Sequence, residues 1–277
     1  MIKIVTDTSA LFTVEEGLNL GFQVIPLCVS LNGKHYRDLS FATSEFIREI
    51  EEGGIPSTSQ PPIGDVLVAY EDNIGNEILN LCMADGLSGT YQTALMAREQ
   101  AANKEDITVI NTKTLCGPHR YLVQKAVQLR DEGKSRDEIV KALDESMAHE
   151  HSFLIPQDFS FLKRGGRLKA AAASIGGLLK LKPIMEAVDN GSRLDKYTVA
   201  RTFGKAIDTI LHYFQEQGVN QDYKVYISHA HAEEDALFAH KRLQAVIPDA
   251  DYEILELSQA FITQGGPRCI AVQYIKK

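Results

Sequence analysis

The sequence is short of the features that would commit it to several common chemistries. It has four cysteines in 277 residues, Cys28, Cys82, Cys116 and Cys269, all far apart. None forms a C-x-x-C pair, which argues against a zinc ribbon or a dithiol redox motif and suits a reducing cytosol. No apolar run approaches the ~20 residues that a membrane-spanning helix requires. The opening stretch, MIKIVTDTSALF, reads as a strand and a polar turn and lacks the apolar core of a signal peptide. A cytoplasmic location is therefore expected. Neither a Walker loop nor a G-x-G-x-x-G is present, so the chain offers no recognisable ATP site. A formal net charge of −8 argues against general nucleic-acid binding. One local absence runs the other way. From Phe159 to Met185 there is no acidic residue, yet there are six bases: Lys163, Arg164, Arg167, Lys169, Lys180 and Lys182.

What is present points to an α/β protein. A chain of 277 residues that is 44% hydrophobic can bury a real core in one large or two modest domains. In the N-terminal half, strand-like runs (Lys3 to Thr6, Gln23 to Leu31, Glu77 to Met83, "DITVIN") alternate with helical patterns of 10 to 15 residues. That alternation predicts a three-layer, mainly parallel α/β sheet. Ser152 to Ile155 is expected as its last short strand, and residues 1–157 as one domain. Residues 158–277 are expected as a second α/β domain with a mixed sheet. There, "IMEAV-DNGS-RLDKYTVA" reads as an antiparallel hairpin around Asp189-Asn190-Gly191. Neither an internal repeat nor a low-complexity tract is present.

Two segments carry hydroxyls where helices are expected to begin. "GLSGTY" places Ser88 between Gly86 and Gly89, after an apolar strand. "PSTSQPPIGD" places Thr58 and Ser59 just before Gln60-Pro61-Pro62, and proline favours the first turn of a helix. Capping alone would account for a serine or threonine at either place. Two such helix starts that converge would instead make an anion site from backbone N–H groups and about half a positive charge each. A nucleophile elbow needs G-x-S-x-G, and Thr90 stands where the second glycine belongs. The strand end "ISHAHAEED" presents His229 and His231 as H-x-H, and "HEH" pairs His149 with His151. A metal-dependent hydrolase centred on His229 and His231 is the alternative reading of the chain. The bland one is a strand end followed by an acid-rich first helical turn. In "FLKRGGRL", paired glycines permit a turn that aims Arg167 as a clamp for phosphate or carboxylate.

Four motifs in order, "STSQP" (57–61), "GLSGTY" (86–91), "FLKRGGRL" (161–168) and "GGPRCIAVQYI" (265–275), give the chain a resemblance to the DegV family. The resemblance spans essentially the whole chain. The family comprises bacterial fatty-acid-binding proteins, the FakB subunits of fatty acid kinase. It implies two α/β domains with one long-chain fatty acid buried between them, and no other cofactor. The carboxylate would be held by Thr58 and Ser88 and by N–H groups near Gly89; Ser59 and Gln264 are expected at the same site. An ATP-binding partner kinase would convert it to an acyl phosphate for phospholipid synthesis. Such a chain is a carrier subunit, not a complete enzyme. Lys163, Arg164, Arg167, Arg201 and Arg268 would lie on the face where phosphoryl transfer, the partner and transient membrane contact occur. The chain departs from the family at its last motif. Where members often carry H-x-G-P-G, this chain has Gln264-Gly265-Gly266-Pro267-Arg268. Glutamine supplies a neutral amide in place of a titrating histidine, and Arg268 a fixed charge for phosphate. Arginine also tolerates positive φ far less well than glycine, which puts the backbone of that loop in question.

Overall fold

The structure is a computed structural model that describes residues 1–168 and 181–277. Lys169 and Lys180 of the basic segment lie outside the described residues. The N-terminal half holds a fully parallel sheet in the order β2-β1-β6-β7. Its strands are β1 (Ile2–Asp7), β2 (Gln23–Ile25), β6 (Glu77–Cys82) and β7 (Ile107–Asn111). These are near-continuous apolar runs because both faces are covered. On one face Val5 and Ile78 pack against α3 (Ile63–Glu71) and α4 (Thr90–Gln100). On the other, Ile4 and Leu79 meet α5 (Cys116–Asp131) and α6 (Arg136–Met147).

The second large sheet is mixed and six-stranded, in the order β10-β9-β8-β13-β11-β12. Its members are β8 (Glu150–Ile155), β9 (Lys182–Val188), β10 (Arg193–Ala200), β11 (Tyr223–His229), β12 (Asp251–Glu256) and β13 (Ile270–Lys276). Helices α8 (Phe203–Glu216) and α9 (Glu233–Gln244) cover one face over Phe153, Ile155, Val225 and Val272. The β9–β10 pair is the antiparallel hairpin the sequence predicts, with Asp189, Asn190 and Gly191 all at positive φ in its turn.

Two expectations need correction. The strand at Ser152–Ile155, grouped by sequence with the first domain, is hydrogen-bonded to β13 and β9 in the mixed sheet. Its alternate residues Phe153 and Ile155 fill the core beneath α8, a partnership that sequence proximity does not reveal. The run Gln23 to Leu31 is two strands, not one. Pro26 lacks an N–H to continue the ladder, and the chain leaves the parallel sheet there. The second piece, β3 (Cys28–Leu31), joins β4 (Lys34–Arg37) and β5 (Ser57–Ser59) in a small antiparallel sheet. Helix α2 (Thr43–Glu51) packs Phe46, Ile47 and Ile50 in the same cluster as Val29 and Leu31. Ala42 stands at its N-cap, with no side-chain cap hydrogen bond.

Helix α5 lies between the two large sheets, its Leu122 and Val123 sharing a core with Leu79 on one side and Tyr226 and Ile275 on the other. Close to its start sits a buried polar cluster. The Glu150 carboxylate accepts hydrogen bonds from Thr114 Oγ1 at 2.9 Å and Ser152 Oγ at 3.2 Å. Burial outweighs these bonds and pushes the carboxyl up to about 7 from 4.5. A carboxyl whose folded pKa is raised takes up a proton on folding, so its contribution to stability is present at low pH and lost as pH rises from about 4.5 to 7. Glu150→Gln should flatten this dependence. Denaturant midpoints at pH 5 and pH 8 should differ less in the variant than in wild type, by the equivalent of about 3 kcal/mol at most. An unchanged pH slope would place the ionisation elsewhere.

Candidate functional site

Strand order reverses between β1 and β6, with β2 reached on one side and β7 on the other. In open α/β sheets the crevice outside such a switch point is where ligands bind. Here the strand ends are fixed by a buried carboxylate, Asp7, which accepts from Ser9 N at 2.8 Å and Met83 N at 3.1 Å. Beside it, Ser9 Oγ lies 2.8 Å from His119 Nδ1, and His119 Nε2 lies 3.2 Å from Leu81 O. This resembles a catalytic serine–histidine contact in distance only. Both residues are fully buried, and the Asp7 carboxylate serves backbone amides, so the group is a scaffold under the site.

The loop after β6 carries Ser88. Its hydroxyl lies 2.8 Å from Thr90 Oγ1 and accepts from Thr90 N at 3.3 Å. Gly89, not Ser88, occupies the N-cap of α4, and it makes no side-chain cap. The serine is thus one residue ahead of the place the sequence predicts. Gly86 is required by packing, since a Cβ there would fall 1.9 Å from Ser192 O in the β9–β10 turn. Thr58 and Ser59 depart further from expectation: they lie on β5, and α3 begins only at Ile63 behind Pro62. Pairing of β5 with β3, Thr58 opposite Val29, fixes them as strand residues.

A short helix from the C-terminal half completes the cluster. Gln264, on α10 (Gln259–Gly265), donates from Nε2 to Thr58 Oγ1 at 2.9 Å. Its Oε1 is buried with no hydrogen-bond partner. Space for that amide comes from Gly165, where a Cβ would lie 1.8 Å from Gln264 Oε1. The first glycine of "FLKRGGRL", just after α7 (Phe159–Arg164), therefore serves the amide, while Gly166 at φ +69 makes the turn. Beyond it Arg167 reaches back, donating from Nε to Leu87 O at 3.1 Å and from Nη1 to Gly165 O. It is half-buried, and desolvation lowers its pKa from the usual arginine value. Lys163 and Arg164 are exposed, Arg164 stacked on Phe161 at 4.5 Å. Arg201 is exposed just beyond β10.

Thr58, Ser59, Ser88, Arg167 and Gln264 line one small pocket together. Met83, Leu87, Arg167, Phe261 and Gln264 are shared with a larger cavity of about 680 Å³ of atom-free space, counting its mouth. Its wall is almost wholly apolar, with Leu115, Leu154, Leu162, Leu194 and Leu257 among its residues. Buried Cys116 and Cys269 also line it, their thiols pushed up by burial, Cys269 to about 12. Cys269 lies within the fourth sequence motif, whereas Cys116 falls in none of the four.

Arg268 does not join the cluster. Its backbone takes φ +61, held by the bond from its N–H to Ala230 O at 2.9 Å, and its guanidinium pairs with Asp235 at 2.8 Å. It faces an open polar cleft with His229, His231, Glu233 and Glu256. His229 Nδ1 accepts from Ala232 N at 3.2 Å, and His231 Nδ1 is 3.9 Å from Glu256. His151 is packed against Phe153 and Tyr213, 3.1 Å from Glu186, and burial pushes it down to about 4. Among the described residues, no group of three or more His, Cys, Asp and Glu side chains is placed to hold a metal ion. The hydrolase alternative is therefore not favoured. Among the described residues, no helix is long and apolar enough to cross a membrane.

Comparison with known proteins agrees with this architecture. A structure described as fatty acid binding of a DegV family protein from Thermus thermophilus superposes at a TM-score of 0.90 with 27% identity, covering 100% of this chain and 99% of that one. DegV of Bacillus subtilis, described as a fatty acid binding protein, gives 0.87 with 28% identity and the same coverage. A DegV domain-containing protein of Staphylococcus aureus (strain N315) is 36% identical over 207 residues, 74% of this chain and 73% of that protein. A family model described as "Uncharacterised protein, DegV family" matches residues 1–277. With the match running from first residue to last, this chain belongs to the DegV family.

Proposed function

We propose that this protein is a carrier that binds one long-chain fatty acid and presents its carboxylate to an ATP-dependent partner kinase. The observation that carries the reading is an apolar cavity that shares lining residues with a small pocket of neutral hydrogen-bonding groups, Thr58, Ser88 and Gln264. That combination fits an amphiphile with one polar end. The fatty-acid-binding relatives of Thermus thermophilus and Bacillus subtilis, which share the fold over the whole chain, support carrying their ligand class to this one.

The energetics explain the choice of groups. About 0.8 kcal/mol per buried methylene gives roughly 12 kcal/mol for ~15 of them before the costs of association. The tail can supply the affinity, and the head site has only to fix position. Thr58 receives its hydrogen bond from Gln264, which leaves its own hydroxyl proton to point at a carboxylate. Ser88 and the N–H groups at the start of α4 complete the cradle. A buried lysine there would be expensive in the empty protein and would hold the carboxylate too firmly for transfer. Arg167, which lines the pocket and is held beside Leu87, is the group for charge that develops during phosphoryl transfer. Exposed Lys163, Arg164 and Arg201 give the partner kinase, or an anionic lipid surface, its basic target. We assign Arg268 no part in phosphate binding, because Asp235 takes its charge.

Organic extraction of the purified protein, followed by mass spectrometry, should yield about one fatty acid per chain. If none is extracted and none binds on addition, the reading fails. Thr58→Val and Ser88→Ala each remove one donor to a charged group, worth roughly 1.5–3 kcal/mol, so affinity should drop about 10- to 150-fold. Wild-type affinity in both variants would put the carboxylate somewhere else. Arg167→Ala should keep lipid binding within a few-fold and sharply reduce acyl-phosphate formation with a fatty acid kinase. Full turnover by that variant would remove Arg167 from the transfer step.

A further inference from the structure

The lining of the apolar cavity includes two polar side chains, Ser152 and Gln273, that a carboxylate site does not explain. Near the head cluster its wall includes Cys269, whose Sγ packs against Gly265, the neighbour of Gln264. From there the wall follows β13 through Ala271 to Gln273, four residues or about 13 Å along the strand. In the antiparallel register, β8 sets Leu154 opposite Ala271 and Ser152 opposite Gln273. Residues two apart share a sheet face, so this face is apolar at one step and polar at the next. Gln273 is 1% exposed and Ser152 6% exposed.

Each hydrogen of these two side chains is engaged. Gln273 Nε2 donates to Leu115 O at 3.1 Å and to Ser152 Oγ at 2.8 Å. Gln273 Oε1 accepts from Gly117 N at 3.3 Å, and Ser152 donates its hydroxyl to Glu150 at 3.2 Å. An oxygenated tail finds no donor there. An alkyl tail cannot push the group aside without leaving buried donors and acceptors unpaired. The leucines of the side walls lose nothing of that kind when they shift rotamer.

We propose that Gln273 and Ser152 form the floor of the acyl site and set the longest chain this protein accepts. The proposal rests on the fatty-acid reading above and names its specificity element. A methylene that finds apolar room raises affinity by a factor of about four. One that meets this floor gains nothing and disturbs a satisfied network. Affinity should climb with chain length, reach an optimum, and then fall.

The test uses delipidated full-length protein titrated with straight-chain saturated fatty acids of increasing length. Gln273→Ala removes the floor's largest side chain and should move the optimum about two carbons longer, as expected where a cavity opens. Ser152→Ala removes one hydroxyl and should raise the relative affinity for the acid just beyond the wild-type optimum about fourfold. Thermal melts of both establish folding, and Ser152→Ala decides the matter if Gln273→Ala does not fold. The same optimum and the same fall-off in wild type and every folded variant would overturn the floor while leaving fatty-acid binding intact. No binding of any acid by wild type would overturn both.

Discussion

Helix α10 is fastened to the N-terminal half at both ends, and the polar cluster of Thr58 and Gln264 exists because of those fastenings. At its start, Ala260 N donates to the Asp38 carboxylate at 2.9 Å, which also accepts from Thr8 Oγ1 at 2.8 Å. Gln259 adds a clasp to the same loop, accepting from Leu39 N and donating to Phe41 O. At the other end Gln264 reaches Thr58. Burying Asp38 is costly: desolvation pushes its pKa up to about 6 despite the donors around it. A carboxylate is nevertheless the side chain that accepts from a helix N-terminus and a hydroxyl together. It fixes the angle at which α10 delivers Gln264, so the position of a neutral amide depends on a buried charge one helix length away.

The same logic separates two kinds of polar group around the pocket. Apart from Arg167, the side chains lining the pocket are uncharged, and Arg167 is held there by carbonyl oxygens of Leu87 and Gly165. Those carbonyls orient the guanidinium without neutralising it, as an acidic partner would. The contrast with Arg268 is instructive, because Asp235 balances that charge directly. Two arginines that look equivalent in sequence thus differ in what they have left to offer an anion.

Much of this was legible in the sequence because it depends on local pattern. The succession of apolar strand-like runs and helical patterns yields the α/β class, and Asp189-Asn190-Gly191 yields the hairpin. The motifs around Thr58, Ser88, Arg167 and Gln264 name residues that do converge on one pocket. What the sequence hides is non-local. Pro26 ends one strand, but nothing in the chain says that the next piece will pair with Lys34–Arg37 and Ser57–Ser59. Thr58 looks like a helix start because prolines follow it, and it is a strand residue because Val29 sits opposite. Gln273 shows in sequence only as a polar residue in the apolar run "IAVQYI". Its meaning requires knowing that Ser152 and Leu115 O are its neighbours.

The terminal loop shows how far a backbone can be held against local preference. Arginine in the left-handed region costs roughly 1 kcal/mol or more relative to glycine, yet Arg268 takes φ +61. The loop is held from both sides. Arg268 N donates to Ala230 O at 2.9 Å, Ala230 N donates to Cys269 O at 3.0 Å, and Asp235 anchors the side chain. This ladder aligns the segment before β13 with the end of β11, so releasing Arg268 to a relaxed conformation would break bonds that set the start of the cavity wall. The strain is tolerated because the tertiary bonds outweigh it. An arginine can therefore hold a backbone that glycine adopts more readily, with its side chain turned outward to Asp235 on α9 and Gln264 facing the pocket.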